Sequence, residues 1–204
     1  MGRIIVIGDV HGMYVKLIDL MKRIKPETGD RVIFVGDLLD RGPGSDRVIN
    51  YVRKNCYDCV CGNHEQMAID AQQSKHWNDT WLFNGGATTL SSYHGKEDQL
   101  ASDIEWMKTL PFHITIEEKW IISHAGIPQG NTLASAENSD MEGCRAILWH
   151  RGELEQLKYI QVIGHTPIPN PILEKQGIHI DTGAFAGGPL TAVDLNQRSI
   201  IQSR

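Results

Sequence analysis

Five short polar clusters hold the residue types of metal and phosphate chemistry: Gly8-Asp9-Val10-His11-Gly12, Gly36-Asp37-Leu38-Leu39-Asp40-Arg41-Gly42, Gly62-Asn63-His64-Glu65, Ser123-His124-Ala125-Gly126 and Gly164-His165-Thr166-Pro167. Together they offer carboxylate, imidazole and amide donors without thiolate, a set that suits manganese, iron, magnesium or zinc. The flanking glycines permit the backbone turns that would bring such side chains together. Taken singly, each cluster reads as a turn with a satisfied histidine. Taken together they do not, because one sheet edge packed with acids and imidazoles would repel itself or shift its pKa values without a cation.

Each cluster follows an apolar run that can serve as a strand. Arg3 to Ile7 reads as a buried strand, and Tyr14 to Ile24 follows with Val15, Leu17, Ile18, Leu20, Met21 and Ile24 at a helical period. Arg31 to Val35 is the next strand, Ser45 to Lys54 a second helix with Ser45 as its cap, and Tyr57 to Cys61 a third strand. This βαβαβ order implies a mostly parallel sheet with right-handed crossovers and ligands beyond the carboxyl ends of its strands. Glu65 to about Leu110 is mainly helical, interrupted at Asn84-Gly85-Gly86. Short strands follow at Phe112 to Glu117, Trp120 to Ser123, Tyr159 to Ile163, Ile172 to Glu174, Gly177 to Asp181 and Leu190 to Leu195. Gln129 to Gly143 is the most loop-like segment and reads as a flexible cap or surface excursion.

Composition sets the limits. The chain has 204 residues, 41% hydrophobic and 22% charged, with a formal net charge of −5. That is one soluble globular domain with a proper core, and no apolar run approaches the ~20 residues that span a bilayer. The negative balance argues against a nucleic-acid-coating protein, but a small site can be made positive by metal ions and a few arginines. Met1-Gly2-Arg3 leads into too short an apolar stretch for a signal peptide, and a cytoplasmic protein is expected. Cys56, Cys59, Cys61 and Cys144 make no disulfide framework; Cys56 and Cys59 lack partners for a zinc site, so free buried thiols are expected.

In this order, the five clusters resemble the phosphoprotein phosphatase family of metallophosphoesterases. Gly62-Asn63-His64-Glu65-Gln66-Met67 and Ile180-Asp181-Thr182-Gly183-Ala184 resemble its bacterial and bacteriophage branch in particular. The match runs from Ile4 to about Leu195. It implies an α/β fold, the calcineurin-like α/β/β/α sandwich, with residues 1–204 as a single catalytic domain. The implied activity is hydrolysis of phosphoserine and phosphothreonine, and also phosphotyrosine, in phosphoproteins or phosphopeptides, by in-line attack of a hydroxide bridging two divalent metals. Manganese is the first expectation, with iron, zinc or magnesium as alternatives.

Carried over motif by motif, Asp9 and His11 bind the first metal, Asp37 bridges both, and Asn63, His124 and His165 complete the second. Arg41 and Arg151 clamp the phosphoryl oxygens, although Leu148-Trp149-His150-Arg151 only approximates the family pattern. Guanidinium suits that task through its planar donor fork and fixed charge. Asn63 also borders the substrate. His64 is the general acid that protonates the leaving alkoxide, and Asp40 holds it cationic. Symmetrical diadenosine tetraphosphate hydrolases share most of these motifs and are the alternative, although they are usually longer; a nuclease and an inactive binding module fit less well.

Several residues stay outside that chemistry. Cys61 departs from the family, where a basic residue is more usual, and lacks the Cys-x5-Arg cradle of a cysteine phosphatase. His179 reads as a strand residue, whereas Asp181 reads as a partner that orients His165. His76, His94 and His113 have no motif around them, and Trp77, Trp81 and Trp106 read as core or cap packing.

Overall fold

The computed structural model describes residues 2–138, 145–175 and 177–204. The amino-terminal half runs β1 (Ile4–Ile7), α1 (Tyr14–Ile24), β2 (Arg31–Phe34), α2 (Ser45–Lys54) and β3 (Asp58–Cys59), the expected βαβαβ order. Four helices follow, α3 (Asn63–Asp70), α4 (Lys75–Trp81), α5 (Ala87–Ser92) and α6 (Glu97–Met107), with a π-helical turn at Leu82–Gly86 between α4 and α5. The remainder is β4 (His113–Ile116), β5 (Trp120–Ser123), α7 (Leu133–Asn138), α8 (Ala146–Trp149), β6 (Ile160–Ile163), β7 (Ile172–Leu173), β8 (Gly177–His179), β9 (Thr191–Asp194) and β10 (Ser199–Gln202).

The strands form two sheets, ordered β10-β9-β1-β2-β3 and β4-β5-β6-β8-β7. Both are mixed, which corrects the expectation of a mostly parallel sheet. β1, β2 and β3 are parallel, but β9 returns antiparallel beside β1, and β10 pairs antiparallel with β9. In the second sheet the parallel centre β5-β6-β8 is flanked by antiparallel β4 and β7.

Strand parity builds the layers. In β1, Ile5 and Ile7 face a core shared with α1 and α2, whereas Ile4 and Val6 face a core shared with the second sheet. β2 repeats this with Val32 and Phe34 on the helix side and Ile33 on the sheet side. Across the inner layer lie Ile122, Val162 and Ile178 from β5, β6 and β8, and Ile121 turns outward onto Ile147 and Leu148 of α8. Side chains alternating across a pleated strand thus produce helix, sheet, sheet and helix layers. α1 contributes Leu17, Leu20, Met21 and Ile24 to its core, while Val15 falls off this face and is exposed.

Three local readings change. Ser45 is the first residue of α2 and not its cap; Gly44 holds the cap position, and Ser45 Oγ accepts the Asp40 N–H at 3.1 Å. The Gln129 to Gly143 segment contains α7, whose start is fixed by reciprocal bonds, Thr132 N–H to Ser135 Oγ at 2.9 Å and Ser135 N–H to Thr132 Oγ1 at 3.1 Å. Its residues 139–143 lie outside the described residues, as does Cys144. Cys59 and Cys61 are buried as expected, but Cys56 is exposed. Among the described residues no helix is long and apolar enough to cross a membrane.

The entry to β1 is tied by Arg3, whose Nη2 and Nε donate to Asp30 at 2.6 and 3.0 Å. These bonds to Arg3, with the Glu27 N–H, pull the Asp30 carboxyl from 3.8 down to about 2. A depressed carboxyl contributes stability that is fully present above its unfolded pKa and is lost as pH falls through the folded value. Asp30→Asn should therefore flatten the loss of stability between about pH 4 and 2. Urea midpoints measured across that window test this, and an unchanged acid limb would contradict it.

Candidate active site

The loops after β1, β2 and β3 bring Asp9 and His11, Asp37, and Asn63 and His64 to the carboxyl edge of the first sheet. Those after β5 and β6 bring His124 and His165 to meet them. The turns are tight enough that His11, Asp37, Asp40, Arg41 and His165 all take positive φ, between 45° and 69°. Non-glycine residues adopt this region at a cost, and such strain clusters where surrounding structure enforces a functional geometry.

Asp37 lies at the centre. Its Oδ2 is 3.4 Å from His11 Nε2, its Oδ1 is 3.4 Å from His124 Nε2, and Oδ1 accepts the His64 N–H at 3.1 Å. His11 gives its Nδ1 proton to the Leu39 carbonyl at 2.9 Å, and His124 gives its own to Val35 at 2.8 Å. In both rings the Nε2 lone pair is thereby aimed inward. Asn63 Oδ1 stands 2.8 Å from His124 Nε2 and 3.1 Å from His165 Nδ1, while buried His165 Nε2 has no hydrogen-bond partner. Asp9 accepts the His165 N–H at 3.1 and 3.2 Å. A Cβ on Gly164 would come within 1.9 Å of Asp9, so the close approach requires glycine.

Ligand atoms converge in two groups that share Asp37, namely His11, Asp37 and His64, and Asp9, Asp37 and His124. The grouping crosses the expected partition, since Asp9 stands with His124 and His11 with His64. Burial, with help from neighbouring cationic groups, pushes the His11 and His165 imidazoles down to about 3 and also lowers His124. These are neutral rings, the form that ligates metal. Burial together with Asp181 and Asp37 pushes Asp9 well above the usual carboxylate range. Burial opposes ionisation of Asp37 too, but His124, His64 and His11 outweigh it and hold the carboxyl below its ordinary value. Acceptor lone pairs facing one another across buried space, with Asp9 pushed to hold a proton, fit divalent cations.

Beside this cluster, His64 Nδ1 meets Asp40 Oδ2 at 2.6 Å. Asp40 is fully buried and also accepts Trp81 Nε1 at 3.0 and 3.1 Å and Thr89 Oγ1 at 2.6 Å. Burial lowers the His64 pKa, but the Asp37 charge and the Asp40 hydrogen bond more than offset it, leaving the group above its ordinary value. Trp81 is thus core packing with a second duty, and neither its indole bond nor that of Thr89 has a signal in local sequence. Trp77 and Trp106 are partly buried, the latter against the helix-side core.

Arg41 reaches His11 Nε2 at 3.0 Å and His64 Nε2 at 2.9 Å, and its guanidinium lies 4.3 Å over the Phe185 ring. Phe185 also sets its edge or face to His11 at 5.1 Å. Sequence reasoning passed over Phe185, although it follows Ile180-Asp181-Thr182-Gly183-Ala184 directly. It passed over the role of Glu65 as well, whose carboxylate accepts the N–H groups of Asp37, Leu38 and Gly62. Arg151 is exposed, hydrogen-bonded to nothing among the described residues, and close enough to His124, His165 and Asp181 to affect their charge.

Asp181 does not hydrogen-bond His165; its Oδ1 accepts the Gly183 N–H at 2.9 Å, which corrects the expected orienting role. Burial pushes it up to about 6. His179 lies in β8 opposite Ile163 and Ile172, away from the cluster. His113 bonds Glu137 of α7 at 2.6 Å, and His76 packs on Trp77. Burial pushes the Cys61 thiol well up, a neutral state poorly suited to nucleophilic attack.

A fold of this layering with such a cluster defines a metal-dependent phosphoester hydrolase. The chain belongs to the calcineurin-like phosphoesterases, whose family model matches residues 2–194. These enzymes use a dinuclear metal centre. The chain is 31% identical to serine/threonine-protein phosphatase 1 of Salmonella typhimurium, covering 91% of this chain and 88% of that protein. It is 30% identical to the asymmetrical bis(5'-nucleosyl)-tetraphosphatase PrpE of Halalkalibacterium halodurans, covering 92% and 88%. The fold also matches a cold-active protein-tyrosine phosphatase of a Shewanella species, with a TM-score of 0.67 at 17% identity, over 100% of this chain and 81% of that one.

Titrating Mn2+ into the metal-free protein should raise its melting temperature, because a ligand held only by the native state adds about 2.7 kcal/mol at a hundredfold excess over Kd. Asp37→Asn, at the residue common to both groups, should lose most of that rise in differential scanning fluorimetry. Full retention by the variant would contradict a metal role for Asp37.

Proposed function

We propose that this protein is a cytoplasmic phosphoprotein phosphatase acting on phosphoserine and phosphothreonine, with phosphotyrosine also accepted, and that residues 1–204 form one catalytic domain. The Asp40–His64 pair, joined at 2.6 Å beside Arg41 at the edge of the acceptor cluster, carries the hydrolytic chemistry, and the 31% identity to a serine/threonine-protein phosphatase supports phosphoproteins as the substrate. Asp9, His11, Asp37, Asn63, His124 and His165 would together hold two divalent ions, with Asp37 common to both groups of ligand atoms; manganese is favoured, and iron, zinc or magnesium accept the same donors. When bound, two such ions stabilise phosphoryl charge and make hydroxide available near neutral pH.

The protein's own groups then divide the remaining work. Arg41 binds phosphoryl oxygens through its donor fork, turning from the two imidazoles toward substrate, and Arg151 and Asn63 close on the same group. Hydroxide attacks phosphorus in line, opposite the leaving oxygen, so the nucleophile has no proton to lose in the step. His64 carries a proton at Nε2 while Asp40 accepts the Nδ1 proton and stabilises the cation. The proton passes from Nε2 to the departing serine or threonine oxygen. No phosphorylated enzyme forms, and neither Cys61 nor an aspartate serves as nucleophile.

Hydrolysis of a dinucleoside tetraphosphate is the second reading. The symmetrical hydrolases that the motifs resemble are usually longer, whereas the tetraphosphatase relative named above is asymmetrical and is 88% covered by this chain, so length does not separate the two. A panel of phosphopeptides and dinucleoside polyphosphates, run with manganese, decides between them: turnover confined to the polyphosphates would reject the phosphatase.

His64→Asn provides the mechanistic test. Loss of a general acid costs about 10² to 10⁴-fold. The variant should lose this on phosphoserine, whose alkoxide leaves poorly, and far less on p-nitrophenyl phosphate. Equal losses on both substrates would reject the proton-donor role.

A further inference from the structure

Outside the site, the exposed side of α2 presents a basic stripe. Arg47, Asn50 and Lys54 stand three and then four residues apart, on one helical face, and form a ridge between two cavities. One, of about 610 Å³, opens toward α6; the other, of about 340 Å³, opens toward Tyr14 and Tyr51. In the larger cavity both acids already have partners: Lys96 meets Asp46 at 2.6 Å, and Arg53 pairs with buried Asp103. Arg47 instead lies 4.9 Å over the Tyr14 ring, and neither it nor Lys54 has an acid partner among the described residues. The groove is therefore locally positive on a chain whose net charge is −5.

The groove begins beside the site. Tyr14 follows His11 by three residues. Arg41 lines a third cavity, of about 230 Å³, with Ser92, whose Oγ accepts the N–H of Asp46 in the wall of the larger one at 3.3 Å. α2 itself starts at the site, through Ser45 Oγ and the Asp40 N–H. With a rise of 1.5 Å per residue, Arg47 and Lys54 stand about 3 and about 13.5 Å along the axis from Ser45. An extended peptide, at about 3.3 Å per residue, covers those distances in about one to four residues.

We propose that the α2 groove binds an acidic segment of the substrate polypeptide, with Arg47 and Lys54 pairing carboxylates that flank the phosphorylated residue. Two cations about 10 Å apart along a helix suit separate carboxylates on an extended chain better than the converging charges of a tetraphosphate. The register relative to the phosphate rests on Arg41 as its ligand; binding of the acidic segment does not. Exposed cations of this kind contribute mainly through long-range attraction, which salt screens.

The test is fluorescence anisotropy with a labelled, unphosphorylated peptide rich in Asp and Glu, titrated at low salt with the wild type and with an Arg47→Glu, Lys54→Glu double variant. Wild type should bind, and the variant should bind about tenfold more weakly or worse. The variant's melting temperature and its turnover of p-nitrophenyl phosphate should be unchanged. With phosphopeptides, wild type should prefer an acidic over a neutral flank in kcat/KM, and the variant should lose that preference. No binding by wild type, equal binding by the variant, or binding of a dinucleoside tetraphosphate in place of the peptide overturns the proposal. If no phosphopeptide is turned over, the phosphatase reading fails while the anisotropy still decides the groove.

Discussion

The geometry of the site depends on the carboxylate of Glu65. It accepts the N–H groups of Asp37, Leu38 and Gly62 at 2.7, 2.8 and 2.9 Å, and so holds the loops after β2 and β3 against each other. Glu65 lies in the first turn of α3, where the helix end favours negative charge. Burial and the Asp37 charge nonetheless push it up to about 7, against the pull of those three donors. The two loops pass at backbone contact: a Cβ on Gly36 would meet Gly62 N at 2.5 Å, and one on Gly62 would meet Asp37 Oδ1 at 2.3 Å. Asp37, Asn63 and His64 are consequently positioned by one carboxylate and two glycines, none of which belongs to the acceptor cluster itself.

That rigidity offsets an electrostatic cost. Asp9, Asp37 and Asp181 are buried together, and each raises the free energy of ionising another. A protein seeking only stability would replace such a cluster with apolar residues of similar size. Here the inward lone pairs of His11 and His124 are fixed by the Leu39 and Val35 carbonyls, so the rings cannot turn to relieve the repulsion. The positive φ at five residues around the cluster adds local strain. The surrounding layers, with Ile4, Val6, Ile33, Ile122 and Val162 packed between the sheets, supply the stability that the site gives up.

Chemistry was more legible in the sequence than architecture was. Glycine-flanked polar clusters after apolar runs marked every member of the acceptor cluster, because strand and turn are local and the ligands lie within a few residues of each strand end. What sequence could not supply came from long-range pairing. The return of β9 beside β1 and the addition of β10 make the first sheet mixed, and nothing in Thr191 to Gln202 indicates direction. Trp81 and Thr89 reach Asp40 from 41 and 49 residues away, a relation no local pattern encodes. Ser45 looked like a cap because serine before an apolar helix usually is one, yet its hydroxyl bonds Asp40 and Thr89. Asp181 looked like a partner for His165, but its own turn claims it.

The motifs cannot by themselves choose a substrate, because ligands and proton donor serve any phosphoester whose leaving oxygen reaches His64. Choice can come from what surrounds Arg41, a motif residue that also contacts non-motif segments. Its N–H approaches the Gly85 carbonyl at 3.4 Å, and a Cβ on Gly85 would stand 3.1 Å from Arg41 N. Gly85 holds φ +115 in the π-helical turn that also projects Phe83, 92% exposed, into solvent. On its other side the guanidinium rests on Phe185, in a turn whose Ala184 carbonyl accepts Lys16 Nζ at 2.8 Å. The phosphate clamp is therefore held between two segments outside the motifs. Sequence changes there can move Arg41 or reshape its approaches while leaving the acceptor cluster intact, so one ligand set can serve different phosphoesters.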